Sequence, residues 1–187
     1  MRYYAGIGSR KTPKDVLFIM ERIGQSLASR FVLRSGGAGG ADTSFERGAN
    51  RGQGVTEIFL PWKGFNADDE DREFLPVSDL FLDNLPQKIQ YEAAEIAKQF
   101  HRHWNELTIG GKKLHTRNVL QILGRDLNTP SEFVICWTKD GKATGGTGQA
   151  MRIAKSKGIP IYNLKNNDDR DSLVKWWNME YGSDPIV

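Results

Sequence analysis

Glycine turns at two places in this chain, the first with carboxylates beside it, have the types and spacing of a phosphate-and-sugar site. The first is Leu33-Arg34-Ser35-Gly36-Gly37-Ala38-Gly39-Gly40-Ala41-Asp42, entered by the apolar run Phe31-Val32-Leu33 and left by a helix-like segment through Ala49. A strand that ends in glycines and turns straight into a helix lets the backbone approach an anion closely. It also aims free N–H groups and the positive end of the helix dipole at that anion. The stretch is not Gly-x-Gly-x-x-Gly and lacks the Gly-Lys-Ser/Thr of a P-loop. It therefore indicates an anion-binding turn, or simply a tight structural one, without naming a cofactor. The second place is Thr144-Gly145-Gly146-Thr147-Gly148-Gln149, again ahead of a helix. Its N–H groups and the Thr147 hydroxyl make the better phosphate cradle.

Carboxylates accompany the first turn. Asp42 and Glu46 are four residues apart and share one helix face. The helix dipole favours a charged Asp42, but that charge would repel a phosphate held in the same turn. The first turn is thus expected to meet sugar hydroxyls or C1′, with Asp42 and Glu46 as candidate catalytic groups, while the second holds phosphate. The plainer alternatives are a helix-terminus charge for Asp42 and a surface pair with Arg47 or Arg51 for Glu46. Arg117 is one of many arginines, and its position alone marks it only as a surface charge.

The elements that must position these groups follow in order. Arg2 to Ile7 reads as a first strand, ending in Gly6-Ile7-Gly8-Ser9-Arg10. Thr12 is the expected N-cap and Pro13 the first residue of a helix on which Val16, Ile19, Met20, Ile23 and Leu27 recur at helical spacing. Strands follow at Phe31–Ser35, Thr56–Trp62, Glu132–Trp137 and Ile159–Leu164. Helices are expected at about Ala41–Arg51, Pro86–Trp104, Leu114–Leu123, from the second glycine loop to Lys157, and Ser172–Tyr181. Alternation of this kind predicts an α/β, Rossmann-like parallel sheet of about five or more strands with helices on both faces. Ligands of such sheets sit at the carboxyl ends of strands, where both glycine turns fall. Residues 63–113 read as an irregular insertion in a single domain spanning 1–187. Within it, Asn66 to Glu73 is an acidic run, expected as a solvated loop or an exposed helix start, with a mobile lid as the alternative, flanked by Trp62, Phe65 and Phe74.

Totals bound the rest. At 187 residues, with 39% hydrophobic and 26% charged residues, the chain is of ordinary globular composition. A net charge of +3 suits a phosphorylated ligand and, with no Lys/Arg cluster, makes nucleic acid the less expected partner. One cysteine, Cys136, rules out a disulfide framework and a Cys-based zinc site. His101 and His103, two apart on an expected helix, face different ways, so no metal and no cofactor is expected. No signal peptide and no bilayer-length apolar run is evident, which makes cytoplasm the expected compartment.

Three segments together resemble the SMF/DprA–LOG (SLOG) superfamily of Rossmann-like nucleotide-binding domains: Gly6–Arg10, Ser35–Ala49 and Gly145-Gly146-Thr147-Gly148. The second half is similar to the Lonely-Guy (LOG) nucleoside-monophosphate phosphoribohydrolases. Leu114-His115-Thr116-Arg117-Asn118 is similar to their Met-His-Glu-Arg-Lys segment, which would make Arg117 the family's catalytic arginine. The Gly145–Gly148 loop is similar to their Pro-Gly-Gly-x-Gly-Thr-x-x-Glu loop, with Thr144 at the proline, Gln149 at the second threonine and Arg152 at the glutamate. The first half resembles the DNA-processing protein A branch, whose loop reads Ser-Gly-x-Ala-x-Gly-Ile-Asp and which binds single-stranded DNA. Ser35, Gly36, Gly39 or Gly40, and Asp42 match it. Small relatives with this hybrid pattern occur in phages and bacteria.

The expectation that results is hydrolysis of the N-glycosidic bond of a nucleoside monophosphate or related nucleotide. Glu46, Asp42 and Arg117 would be catalytic. Gly8, Ser9, Arg10, Ser35, Gly36, Gly37, Gly39, Gly40, Asn118, Gly145, Gly146, Thr147, Gly148 and Gln149 would bind the phosphate and nucleotide. A non-catalytic nucleotide sensor and a single-stranded DNA-binding protein are the rival readings. A homodimer is implied by the resemblance alone.

Overall fold

The computed structural model describes residues 1–68, 70–72 and 74–182. Asp69 and Glu73 of the acidic run lie outside the described residues. The architecture is α/β and Rossmann-like: among the described residues, a five-stranded parallel sheet with six α-helices. The strands are β1 (Tyr3–Gly6), β2 (Val32–Ser35), β3 (Thr56–Ile58), β4 (Phe133–Cys136) and β5 (Ile161–Asn163). They lie in the order β3-β2-β1-β4-β5. The helices are α1 (Lys14–Leu27), α2 (Ala41–Arg51), α3 (Gln87–Gln99), α4 (Ile109–Leu123), α5 (Gly145–Ser156) and α6 (Asn167–Tyr181).

Side-chain alternation along the strands divides the core into two layers. Tyr4, Leu33, Phe133 and Ile135 pack on one face with α1, α2 and α6, through Met20, Ile23, Phe45 and Trp177. Ala5, Val134 and Cys136 pack on the other with α3, α4 and α5, through Ala97, Leu120, Ile122 and Ile153. Of the paired tryptophans, Trp177 is buried, whereas Trp176 is half-buried against Phe133 and Tyr162.

Several boundaries differ from those read in the sequence, each for a local reason. Thr12 does not cap α1; its hydroxyl donates to Ser9 O at 2.7 Å, and Pro13 takes the N-cap position. The helix expected over 86–104 stops at Gln99, because Arg152 of α5 takes the Phe100 carbonyl with Nε and Nη2. A side-chain donor thus satisfies a carbonyl at the helix end. His101 and His103 consequently lie beyond the helix. Helix α4 begins earlier than Leu114, where Thr108 caps it by accepting from Gly111 N. Strand β3 is short, but Phe59 N still donates to Ser35 O, and Leu60 bridges to Phe81. The described residues of 61–84 therefore fold back beside the β2–α2 turn, where Asn66 reaches Gly37 O and Arg72 reaches Glu46.

The order of strands creates the site. β1 leads through α1 to β2 on one side, while β4 leads through α5 to β5 on the other. The two chains leave neighbouring strand ends in opposite directions, and a crevice opens between them.

Candidate functional site

That crevice is a cleft of about 450 Å³. One wall is the loop after β1, Gly8 to Lys11; the other runs from Thr138 and Lys139 to the first turn of α5. The floor comes from α2 and α4. Asn163 of β5 holds Thr138 in place, accepting from its N–H at 3.3 Å and donating to its hydroxyl at 2.7 Å.

The two glycine turns are not equivalent. The second is open: Gly145 and Gly146 are exposed, and an added side-chain carbon at either would meet nothing within 4 Å. The glycines are not a loop ahead of the helix but its first turn, so the unpaired N–H groups of α5 face the cleft directly. Gly148 and Gln149 are buried behind them.

The first turn is filled by the protein itself. Asp42 Oδ1 accepts from Gly8 N at 3.1 Å and Oδ2 from Ala38 N at 3.4 Å. Ser35 donates its hydroxyl to Gly6 O, and Gly37 O accepts from Asn66. The Asp42 carboxylate thus occupies the anion position at its own helix start. Ser35, Gly36, Gly37, Gly39 and Gly40 are buried and do not line the cleft. Gly40 (φ 82°) and Gly37 (φ 64°) make the turn possible.

Arg117 is not a surface charge; it is 6% exposed. Its Nη1 donates to Asp42 Oδ2 at 3.4 Å. The Gln121 amide, with its oxygen toward Arg117, accepts from Nη1 at 3.2 Å and from Gly36 N at 2.9 Å. Arg117 Nε is buried without a partner among the described residues. Burial raises the Asp42 pKa, with Arg117 and the two N–H donors pulling the other way. Burial likewise lowers that of Arg117, opposed by the Asp42 charge.

Asp42 and Glu46 are both buried on one face of α2 but serve different surroundings. Glu46 receives Arg72 Nη1 at 2.9 Å on each oxygen, in a pair less than 10% exposed on both sides. It does not line the cleft, whereas Asp42 is the one acidic residue that does so among the described residues. Arg47 and Arg51, the expected partners of Glu46, instead reach Glu21 of α1. Burial pushes the Glu46 carboxyl up to about 7, against the pull of Arg72.

Sequence reasoning missed Arg72, Gln121, Phe65 and Lys139. Gln121 carried a signal: with Leu114, Arg117 and Asn118 it completes an i, i+3, i+4, i+7 stripe on α4. Arg72 carried a weaker one, as the lone cation in an acidic run. Phe65 is buried with Arg10 and Arg117 within 5.8 and 5.9 Å of its ring centroid, a contact that sequence spacing does not reveal. Among the described residues no group of three or more His, Cys, Asp and Glu side chains could hold a metal. No helix among them is long and apolar enough to cross a membrane.

No protein-family model and no curated protein sequence matches the chain. Among solved structures, the fold is similar to that of DNA processing protein A from Helicobacter pylori, determined for its single-stranded DNA binding mode. The TM-score is 0.53 at 17% identity, over 93% of this chain and 72% of that one. At that identity the likeness is one of fold, and it does not extend to the LOG-like features of the second half. The chain has a fold of the DNA processing protein A kind.

Proposed function

We propose that this chain binds single-stranded DNA, with a backbone or terminal phosphate seated at the first turn of α5. The observation that carries the reading is the open Gly145–Thr147 turn facing Arg10 and Lys11 across the cleft, with Lys139 beside it. Helix N–H groups and flexible cations are what a phosphate needs, and backbone contacts of this kind need no base sequence. The similarity of fold to a protein that binds single-stranded DNA supports the same ligand class. The modest net charge is offset locally, because Arg10, Lys11 and Lys139 all line the cleft.

The test is a salt titration of a labelled single-stranded oligonucleotide against its duplex. Binding should prefer the single strand, and its affinity should fall with salt at a log–log slope of roughly 0.7 per phosphate neutralised. Lys139→Ala should lower that slope by about one contact's worth. Equal affinity for duplex, or no salt dependence, overturns the reading.

A second reading rests on Asp42. It is the cleft's only carboxylate among the described residues, and the volume suits one nucleotide. On that reading the chain hydrolyses the N-glycosidic bond of a nucleotide. Asp42 stabilises the oxocarbenium-like centre, rather than Glu46, which pairs with Arg72 and does not line the cleft. Release of free base from a nucleotide panel is the discriminating observation.

A further inference from the structure

Behind the α5 turn runs a hydrogen-bonded chain of side chains whose two ends are backbone groups. Gly36 N and Arg117 donate to the Gln121 oxygen, and the Gln121 nitrogen donates to Asn118 Oδ1 at 3.1 Å. Asn118 Nδ2 donates to Gly146 O at 3.2 Å and to Gln149 Oε1 at 3.1 Å. Gln149, fully buried, donates Nε2 to Ala97 O at 3.0 Å. An N–H at one end and carbonyls at the other leave no amide free to turn round. Gln149 Oε1 is therefore an acceptor, and His115 Nδ1, 2.8 Å from it, must carry a hydrogen.

In the neutral ring that leaves Nε2 as a bare lone pair. Nε2 has no protein hydrogen bond among the described residues, and His115 lines the cleft. The surroundings keep the ring neutral: burial lowers its pKa. His101, whose ring lies 4.2 Å away beyond α3, Arg117 on α4 and Arg152 on α5 all oppose a further charge. Only the Gln149 hydrogen bond favours it.

A lone pair repels a phosphate oxygen. The Gly145–Thr147 turn, Arg10 and Lys139 offer donors and cations to a phosphate, whereas His115, like the Asp42 carboxylate, marks a point where phosphate is refused. Resting on the single-stranded DNA reading above, we propose that His115 is a specificity residue: it accepts a hydrogen bond from an uncharged O–H or N–H of the bound nucleotide, a base ring N–H or a terminal sugar hydroxyl. It thereby sets which way round the nucleotide lies against the phosphate seat. Gln149 and Asn118 are positioning residues for it.

Two measurements test this in the intact protein. The first needs no ligand: nitrogen-15 NMR of the imidazoles at pH 7.5 should show His115 as the Nδ1–H tautomer, and Gln149→Leu should abolish that preference. An Nε2–H ring in the wild type overturns the proposal. The second compares binding of oligo(dT), its N3-methylthymine counterpart, and oligo(dT) ending in a 2′,3′-dideoxynucleotide. His115→Phe should weaken oligo(dT) about fivefold, the size of one hydrogen bond. One of the two analogues should lose the same factor with the wild type and nothing more with the variant; which one it is names the donor. Should His115→Phe weaken all three ligands equally, or none, the proposal fails while the DNA-binding reading stands. Should none of the three bind the wild type, both fail.

Discussion

Gly36 and Arg117 exclude one another's alternatives: a Cβ on Gly36 would sit 1.1 Å from Arg117 Nη1. The guanidinium occupies the space that any other residue at position 36 would fill. Gly36→Ala should therefore evict Arg117 from Asp42 and Gln121, leaving a buried carboxylate without its cation. A loss of about 3 kcal/mol is expected in denaturant unfolding, with ligand affinity falling further than the fold is weakened. An alanine variant as stable and as tightly binding as the wild type would show that Arg117 is not held there.

Gly146 offers the opposite experiment, since its missing side chain faces open space. Gly146→Asp places a carboxylate at a helix start, which should leave thermal stability unchanged or raise it by up to about 1 kcal/mol. The same charge blocks the phosphate seat, so oligonucleotide affinity should drop at least tenfold. Unchanged affinity, measured by fluorescence anisotropy, would move the phosphate elsewhere.

Asp42→Asn separates the two functional readings. Removing the only negative charge that the described residues bring to the cleft should leave single-stranded DNA binding equal or tighter. If the chain also releases base from a nucleotide, that activity should fall by about 10²-fold or more. The two assays, run on one preparation that remains folded by circular dichroism, give separate answers.

The Glu46–Arg72 pair makes a pH prediction. Burial in the native protein pushes the Glu46 carboxyl up to about 7 from its ordinary value of 4.5. Between those values the native state holds a proton that the unfolded chain has released. Stability from this group is thus present below pH 4.5 and is lost as pH rises through 7. Relative to Glu46→Gln, the wild type should lose about 3 kcal/mol between pH 4 and pH 8 in urea unfolding. A difference that is flat with pH would show that Arg72 keeps Glu46 ionised throughout.

Much of the fold was legible because it is written in local periodicity. Val16, Met20, Ile23 and Leu27 announce α1, and each is buried. Apolar runs ending in glycine announce β1 and β2. The site was legible in its parts but not in its partition. Asp42, Arg117 and the Gly145 turn could be picked out, yet nothing in the spacing of Asp42 and Glu46 says that one faces the cleft and the other an arginine 26 residues away. Pairings across such separations are settled by how the irregular segment folds back, and no periodic pattern records that. Arg152 was legible as a departure from the LOG loop. Its role was not, since Phe100 and Ala143, whose carbonyls it ties, lie in different parts of the sequence.

The buried Glu46–Arg72 pair also dictates an order of assembly. β1, α1, β2, α2 and β3 are contiguous in the chain and can gather around Phe45 and Leu33 early. They cannot seal Glu46 as an anion until Arg72 arrives from the segment that folds over them, because an unpaired buried charge is too costly. Below pH 7 a protonated Glu46 lifts that requirement. Refolding should then be faster in mild acid than at pH 8, and Glu46→Gln should remove the difference. The irregular middle of the chain would be the last piece to lock, and its docking the slow, pH-sensitive step of folding.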